Sequence, residues 1–317
     1  MSTDYSVFEL GNFELQSGAV LPDAQLAYKT YGSLNAACNN AVVLPTFYTG
    51  SHQRNEGFFG PGRAIDPAHH FVISVNLFGN GISSSPSNTP APCNAANFPN
   101  ITLYDNVRAQ YRLVTEELGV QRLALVAGWS MAGCQSFQWA AQYPDFVDAI
   151  LPFCASAKTS EHNIVFLEGV KAALQADSVY ADGNYNSPPI KGLKAFARIY
   201  AGWAFSQTFY REKMYRLKGF DSAEELLQDW EQDHLDWDAN DLLCKLRTWQ
   251  QGDISANPIY NGDFESALNA IKAKTIVIFV LSRVRSSAAL ICSRNRSDTL
   301  GSCRAPRNRT RTPRSFN

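Results

Sequence analysis

The chain has 317 residues, of which 45% are hydrophobic and 18% charged, enough for one elaborated domain or two closely joined ones around a large core. A formal net charge of −1 argues against a nucleic-acid or membrane partner, and no apolar run reaches membrane-spanning length. The first residues place Asp4 and Glu9 where a secretory signal would carry basic and then apolar residues, so the expected compartment is the cytoplasm. Seven cysteines without a C-x-x-C pair are expected to be reduced, structural thiols, with neither a disulfide framework nor a zinc site.

Short apolar β-rich runs then alternate with helical periodicity, the pattern of an α/β fold with a mostly parallel sheet and helices on both faces. The strand candidates are 41–46, 71–76, 122–127, 149–153 and 275–281. Between the second and third, Asp105 reads as the N-cap of a helix with Val107, Tyr111, Val114 and Leu118 on its apolar stripe and Gly119 as its stop. The third candidate runs into Gly128-Trp129-Ser130-Met131-Ala132-Gly133, where a sharp small-residue turn carries one serine and leads into a helix that Pro144 halts. This is the layout of a nucleophile elbow of the G-x-S-x-G type, with Ala132 in the last position and the second glycine one place later. A serine exposed at the head of a helix meets backbone N–H groups and a favourable dipole for the oxyanion of acyl transfer. The alternative for such a pattern is an incidental serine turn.

From about 155 to 261 strand signals vanish, and aromatic and polar residues mix at helical spacing. Ser222-x-x-Glu225 reads as a capping box ahead of Leu226, Leu227, Trp230, His234 and Trp237 on roughly one face. A helical excursion between strands of an open sheet is expected to cap the strands' C-terminal ends, where ligands bind. The expected organisation is a first core part at 1–155, a helical cap at 156–261, the last recognisable strand at 262–282 and an Arg/Ser-rich disordered tail at 283–317. That tail holds nine arginines and one acid, Asp298. It reads either as a nucleic-acid-binding arm or, preferentially, as out-of-frame translation replacing an ordinary ending, because the composition changes inside a strand.

Several separate segments resemble the homoserine O-acetyltransferases, particularly their fungal α/β-hydrolase relatives. They are Phe98-Pro-Asn-Ile-Thr-Leu-Tyr-Asp105-Asn-Val-Arg-Ala-Gln110, the elbow at Gly128 to Gly133, Asn76-Leu-Phe-Gly-Asn-Gly-Ile-Ser-Ser-Ser-Pro86, the stretch 190–215, and Asp238-Ala-Asn-Asp-Leu-Leu-Cys244. The similarity runs from about residue 12 to 278, with the motifs in the family's order. It implies an α/β-hydrolase fold and an acyl-serine mechanism in which Ser130 is the nucleophile. The backbone amides of Met131 and Tyr48 would form the oxyanion hole, Tyr48 lying in Pro45-Thr-Phe-Tyr-Thr-Gly50 after the first strand candidate. For Tyr48 the alternative is that its ring simply packs.

The resemblance also implies an acid after the last strand and a histidine base beyond it, in the chain order Ser, Asp, His. Here the sequence departs: Phe279-Val-Leu-Ser-Arg-Val-Arg-Ser-Ser follows the last strand, no histidine comes after His234, and no carboxylate after Glu265 except Asp298. Base and acid are therefore not found. Of the five histidines, His69 and His70 precede a strand and His234 lies in the expected cap; His52 and His162 fall nearest the expected mouth of the site, and each of the five reads as a surface or packing histidine. Three functions stay open: acyl transfer from acetyl-CoA, a co-substrate and not a bound cofactor, to an alcohol such as homoserine; hydrolysis of a secondary-metabolite ester; and a truncated or frameshifted non-catalytic homologue. All three imply a small-molecule ligand and no metal, and leave the oligomeric state open, a homodimer included.

Overall fold

In the computed structural model, residues 4–278 and the backbone of 291–293 are described. One eight-stranded sheet runs through the molecule in the order β1-β2-β4-β3-β5-β6-β7-β8. Its parallel centre is β3 (Ala41–Pro45), β4 (Phe71–Val75), β5 (Leu123–Trp129), β6 (Ala149–Phe153) and β7 (Lys274–Ile278), the five strands expected from the sequence. β3 is buried at every position and β4 at all but its first, as strands covered on both faces must be. Residues 279–281 of the last strand candidate lie outside the described residues, as does most of 283–317; within the latter, β8 (Ile291–Ser293) pairs antiparallel with β7.

Like β8, two strands near the N-terminus were not anticipated. β1 (Ser6–Glu14) and β2 (Val20–Tyr31) form an antiparallel pair, and β2 joins the sheet antiparallel to β4. β1 buries Phe8, Leu10 and Phe13, which alternate only until Gly11, where a positive φ of 63° and a register shift break the period. A bulge of this kind erases the two-residue repeat that a sequence reading relies on.

The first helix, α1 (Leu103–Arg112), starts earlier than expected. Thr102 is its N-cap, and Asp105 is the reciprocal member of a capping box: the Thr102 hydroxyl accepts from the Asp105 amide at 3.1 Å, and the Asp105 carboxylate accepts from the Thr102 amide at 3.0 Å. Beyond Arg112 the helix widens into a π turn at Leu113–Glu117, and Gly119, with φ 65°, lets the chain leave it. α2 (Met131–Gln142) is buried along its whole length beneath the sheet's parallel strands.

Between β6 and β7 lie α3 (Glu161–Gln175), α4 (Ile190–Ala204), the short α5 (Gln207–Arg211), α6 (Ala223–Leu235), α7 (Ala239–Gln250) and α8 (Phe264–Ala270). Ser222 caps α6 by accepting from the Glu225 amide at 3.1 Å, but Glu225 reaches back to the Asp221 amide at 2.8 Å, one residue further than a capping box requires. α3, α4 and α7 enclose a second apolar core, in which Leu167, Leu193, Phe196 and Leu242 pack with Tyr48 and Met131. No helix among the described residues is long and apolar enough to cross a membrane.

Candidate active site

β5 ends at Trp129 and α2 begins at Met131, so Ser130 sits on the strand-to-helix turn itself. Its backbone has φ 53° and ψ −128°, a conformation a residue with a side chain adopts only when the surroundings enforce it, at a cost of about 1–3 kcal/mol. Two glycines make that turn geometrically feasible. A β-carbon on Gly128 would lie 2.5 Å from the Ala132 β-carbon and 2.8 Å from its carbonyl carbon; one on Gly133 would lie 2.5 Å from the Ala155 β-carbon and 2.8 Å from the Gly128 oxygen. The second glycine is thus needed at 133, where α2 crosses β6, and Ala132 fits at the preceding position. Ser130 is half-buried, its amide donates to the Phe153 carbonyl at 2.9 Å, and among the described residues no group is hydrogen-bonded to its hydroxyl.

The loop after β3 lies beside this turn. The Phe47 and Trp129 rings meet edge to face at 5.3 Å, and Gln135, one turn into α2, donates to the Thr46 carbonyl at 3.0 Å. Among the described residues the backbone amides of Tyr48 and Met131 have no hydrogen-bond acceptor. Backbone amides without acceptors and an unpartnered hydroxyl are the groups an oxyanion site draws on. The Tyr48 side chain does something separate: its ring is buried against Phe196, Tyr200 and Trp249, and its hydroxyl donates to the Leu242 carbonyl at 2.7 Å. Burial pushes that phenol well above its ordinary range, so it stays a neutral donor. Two cavities of about 180 and 260 Å³ lie elsewhere, and neither is lined by Ser130, Tyr48 or Met131.

No histidine among the described residues is bonded to Ser130. His52 is buried, with Nδ1 3.0 Å from the Asn76 amide nitrogen and Nε2 3.1 Å from the Asp4 carboxylate. His162 is exposed on α3 against Trp203, with ring centroids 5.0 Å apart. His234 is buried near the end of α6; its Nδ1 lies 2.9 Å from the Trp230 carbonyl, which can only accept, so Nδ1 carries the hydrogen and Nε2 is left as an unpartnered acceptor. Burial lowers the basicity of this ring.

The sequence reading passed over Lys245. It interrupts the apolar run Leu242-Leu243-Cys244-Lys245-Leu246 on α7, and that interruption was the available signal. The side chain is fully buried, its Nζ has no hydrogen-bond partner, and it lies 3.6 Å from the Trp237 ring centre and 5.6 Å from that of Tyr48. Burial depresses its basicity from 10.5 to about 7. Unfolded lysine keeps its proton well above pH 7, so the unfolded state binds more protons there and stability should rise with pH between about 7 and 9. Above that range the buried Cys134 and Cys244 thiols, pushed up to about 11 and about 12, act in the opposite sense. Lys245→Met is expected to stabilise the protein at pH 7 by roughly 1–4 kcal/mol and to flatten the rise toward pH 9. Urea unfolding of both proteins at pH 7 and 9 checks this; a less stable variant would show that the ammonium is held by more than two aromatic rings.

The sequence matches the family described as alpha/beta hydrolase fold over residues 42–277. It is 36% identical over 278 residues to the ethyl acetate hydrolase of Pseudomonas veronii, covering 86% of this chain and 79% of that one. To the homoserine O-acetyltransferase of Trichormus variabilis it is 33% identical over 288 residues, covering 86% and 78%. The structure of an acetylester hydrolase from Corynebacterium glutamicum superposes with a TM-score of 0.85 at 35% identity, over 88% of this chain and 80% of that one. The fold expectation is met, and the resemblance to the acetyltransferases is joined by one to acetyl-ester hydrolases at comparable identity and coverage. With its sheet order, its elbow between β5 and α2, and this likeness over most of its length, the chain belongs to the α/β-hydrolase fold family.

Proposed function

We propose that the site is built for acyl transfer through Ser130, with an acetyl-type ester as donor and water as the preferred acceptor. The Ser130 oxygen bonds to the ester carbonyl carbon while the carbonyl oxygen takes the negative charge between the Tyr48 and Met131 amides. The alcohol then leaves with the serine's proton, and water cleaves the acyl-serine to release the acid. The observation that carries this reading is the enforced positive φ of Ser130 between two glycines that admit no β-carbon, at a turn where the Met131 amide, like that of Tyr48, has no acceptor among the described residues. Likeness to the ethyl acetate hydrolase supports water as acceptor. Likeness to the homoserine O-acetyltransferase supports a second reading, in which acetyl-CoA is the donor and an alcohol such as homoserine's hydroxyl the acceptor.

Within residues 1–317 no histidine follows His234 and only Asp298 follows Glu265 among carboxylates, while His52 is engaged on both ring nitrogens. Turnover by this sequence is therefore expected to be low, because no family-type acid and base stand after the last strand. Purified protein should release little p-nitrophenol from p-nitrophenyl acetate and little coenzyme A from acetyl-CoA with homoserine, and Ser130→Ala should change both only slightly. Rapid serine-dependent turnover would show that another group takes the base role, and histidine replacements combined with a pH profile would identify it.

A further inference from the structure

The segment from Asn76 to Pro86 has no part in the chemistry above, yet its polar side chains are almost all buried and bonded. Asn76, directly after β4, uses its full hydrogen-bonding capacity. Its Oδ1 accepts from the His52 amide at 3.1 Å and from Asn80 Nδ2 at 2.9 Å, and its Nδ2 donates to the Ala27 carbonyl at 3.1 Å and to His52 Nδ1 at 3.0 Å. Ser83 fixes it from behind, donating to the Asn76 carbonyl at 2.8 Å and accepting from the Ala27 amide at 2.9 Å. Because His52 Nδ1 accepts, its hydrogen is on Nε2 and points to the Asp4 carboxylate.

This network closes one end of the loop that holds Tyr48. At the other end the Thr46 amide donates to Val75 at 2.9 Å, and the Thr46 hydroxyl accepts from the Leu77 amide at 3.1 Å. Between the anchors, the Gly50 amide donates to Phe47 at 2.9 Å in a turn so tight that a β-carbon on Gly50 would come within 2.9 Å of the Phe47 nitrogen. A loop held at Thr46 and at His52, with a tight turn between, has little freedom to redirect the amide of Tyr48. We propose that Asn76, acting through His52, is the positioning residue of this loop and sets the direction of the Tyr48 amide; the proposal rests on the oxyanion role given to that amide above.

Asn76→Asp tests it with minimal change of shape. The new carboxylate can still accept from the His52 amide and Asn80, but its other oxygen faces the Ala27 carbonyl and the bare Nδ1 of His52. A bond to His52 forms again only if the ring takes a second proton. The other titratable groups around His52 are Asp4, Tyr5, Lys29 and Glu56, and the contacts of Asp4 with Gln53, Lys29 and His52 hold its carboxyl far below the usual range, so it stays charged at mildly acid pH.

The readout is the rate at which a fluorophosphonate modifies Ser130 in the full chain, mapped by mass spectrometry and expressed relative to the parent at the same pH. At pH 8 the variant should react about 10²-fold more slowly, the cost of a misplaced catalytic group, and at pH 5.5 the deficit should shrink to within about tenfold. An Asn76→Asp protein that reacts like the parent at both pH values overturns the positioning role, as does a deficit that ignores pH, which would mark a merely structural loss. If the parent is not modified at Ser130, or Ser130→Ala reacts equally, the oxyanion reading itself fails and the positioning role falls with it.

Discussion

Replacing the chain beyond Ile278 by a family-type ending, with an acid after β7 and a histidine beyond it, is expected to raise ester hydrolysis by about 10⁴- to 10⁶-fold. Ser130, the proposed nucleophile, sits on an enforced strand-to-helix turn, and the Tyr48 and Met131 amides have no acceptor among the described residues. An oxyanion site and substrate binding retain only a residual rate enhancement when the base is gone. Hydrolysis of p-nitrophenyl acetate and ethyl acetate by the chimera, with and without Ser130→Ala, measures the gain. Recovered transfer to homoserine without hydrolysis would favour the acetyltransferase reading, and no gain despite a folded chimera would mean that the elbow is not a catalytic nucleophile.

The second large effect is expected at Gly133. Its substitution by alanine puts a β-carbon 2.5 Å from that of Ala155 and 2.8 Å from the Gly128 carbonyl oxygen, at the crossing of α2 with β5 and β6. The rigid partner here is backbone, which cannot rotate away, so the strain should cost about 1–3 kcal/mol, and slow modification of Ser130 by a fluorophosphonate should be lost as the turn shifts. Gly169 on α3 is the control. It is exposed, a β-carbon there meets nothing within 4 Å, and Gly169→Ala should stabilise by roughly 0.5–1 kcal/mol through helix propensity. Chemical denaturation of the two variants compares them. Equal stability of Gly133→Ala and the parent would show that α2 can slide on the sheet, contrary to the rigid elbow described here.

The central strands were legible because each is a short apolar run between turn residues, and α2 because Pro144 limits it. The helical stretch between β6 and β7 was legible from its rhythm. The N-terminal pair was not, since Gly11 breaks the alternation of β1 just where it would have been counted. Thr102 was overlooked as the cap of α1 because Asp105, its capping-box partner, is itself a favoured cap residue. At the site, the glycine spacing around Ser130 was readable in one dimension. The anchoring of Tyr48 to Leu242 and the engagement of His52 by Asn76 and Asp4 were not, because they join residues far apart in sequence through ordinary side chains. Lys245 left a trace, a charge inside an apolar helix face, but its lack of a partner is a property of the packed interior alone.

The most direct test of the account is covalent. The purified full chain is incubated with a fluorophosphonate over hours, digested, and mapped by mass spectrometry, with Ser130→Ala in parallel. The account predicts a single modified position, Ser130, and an unmodified variant; modification of another residue, or of parent and variant alike, would contradict it.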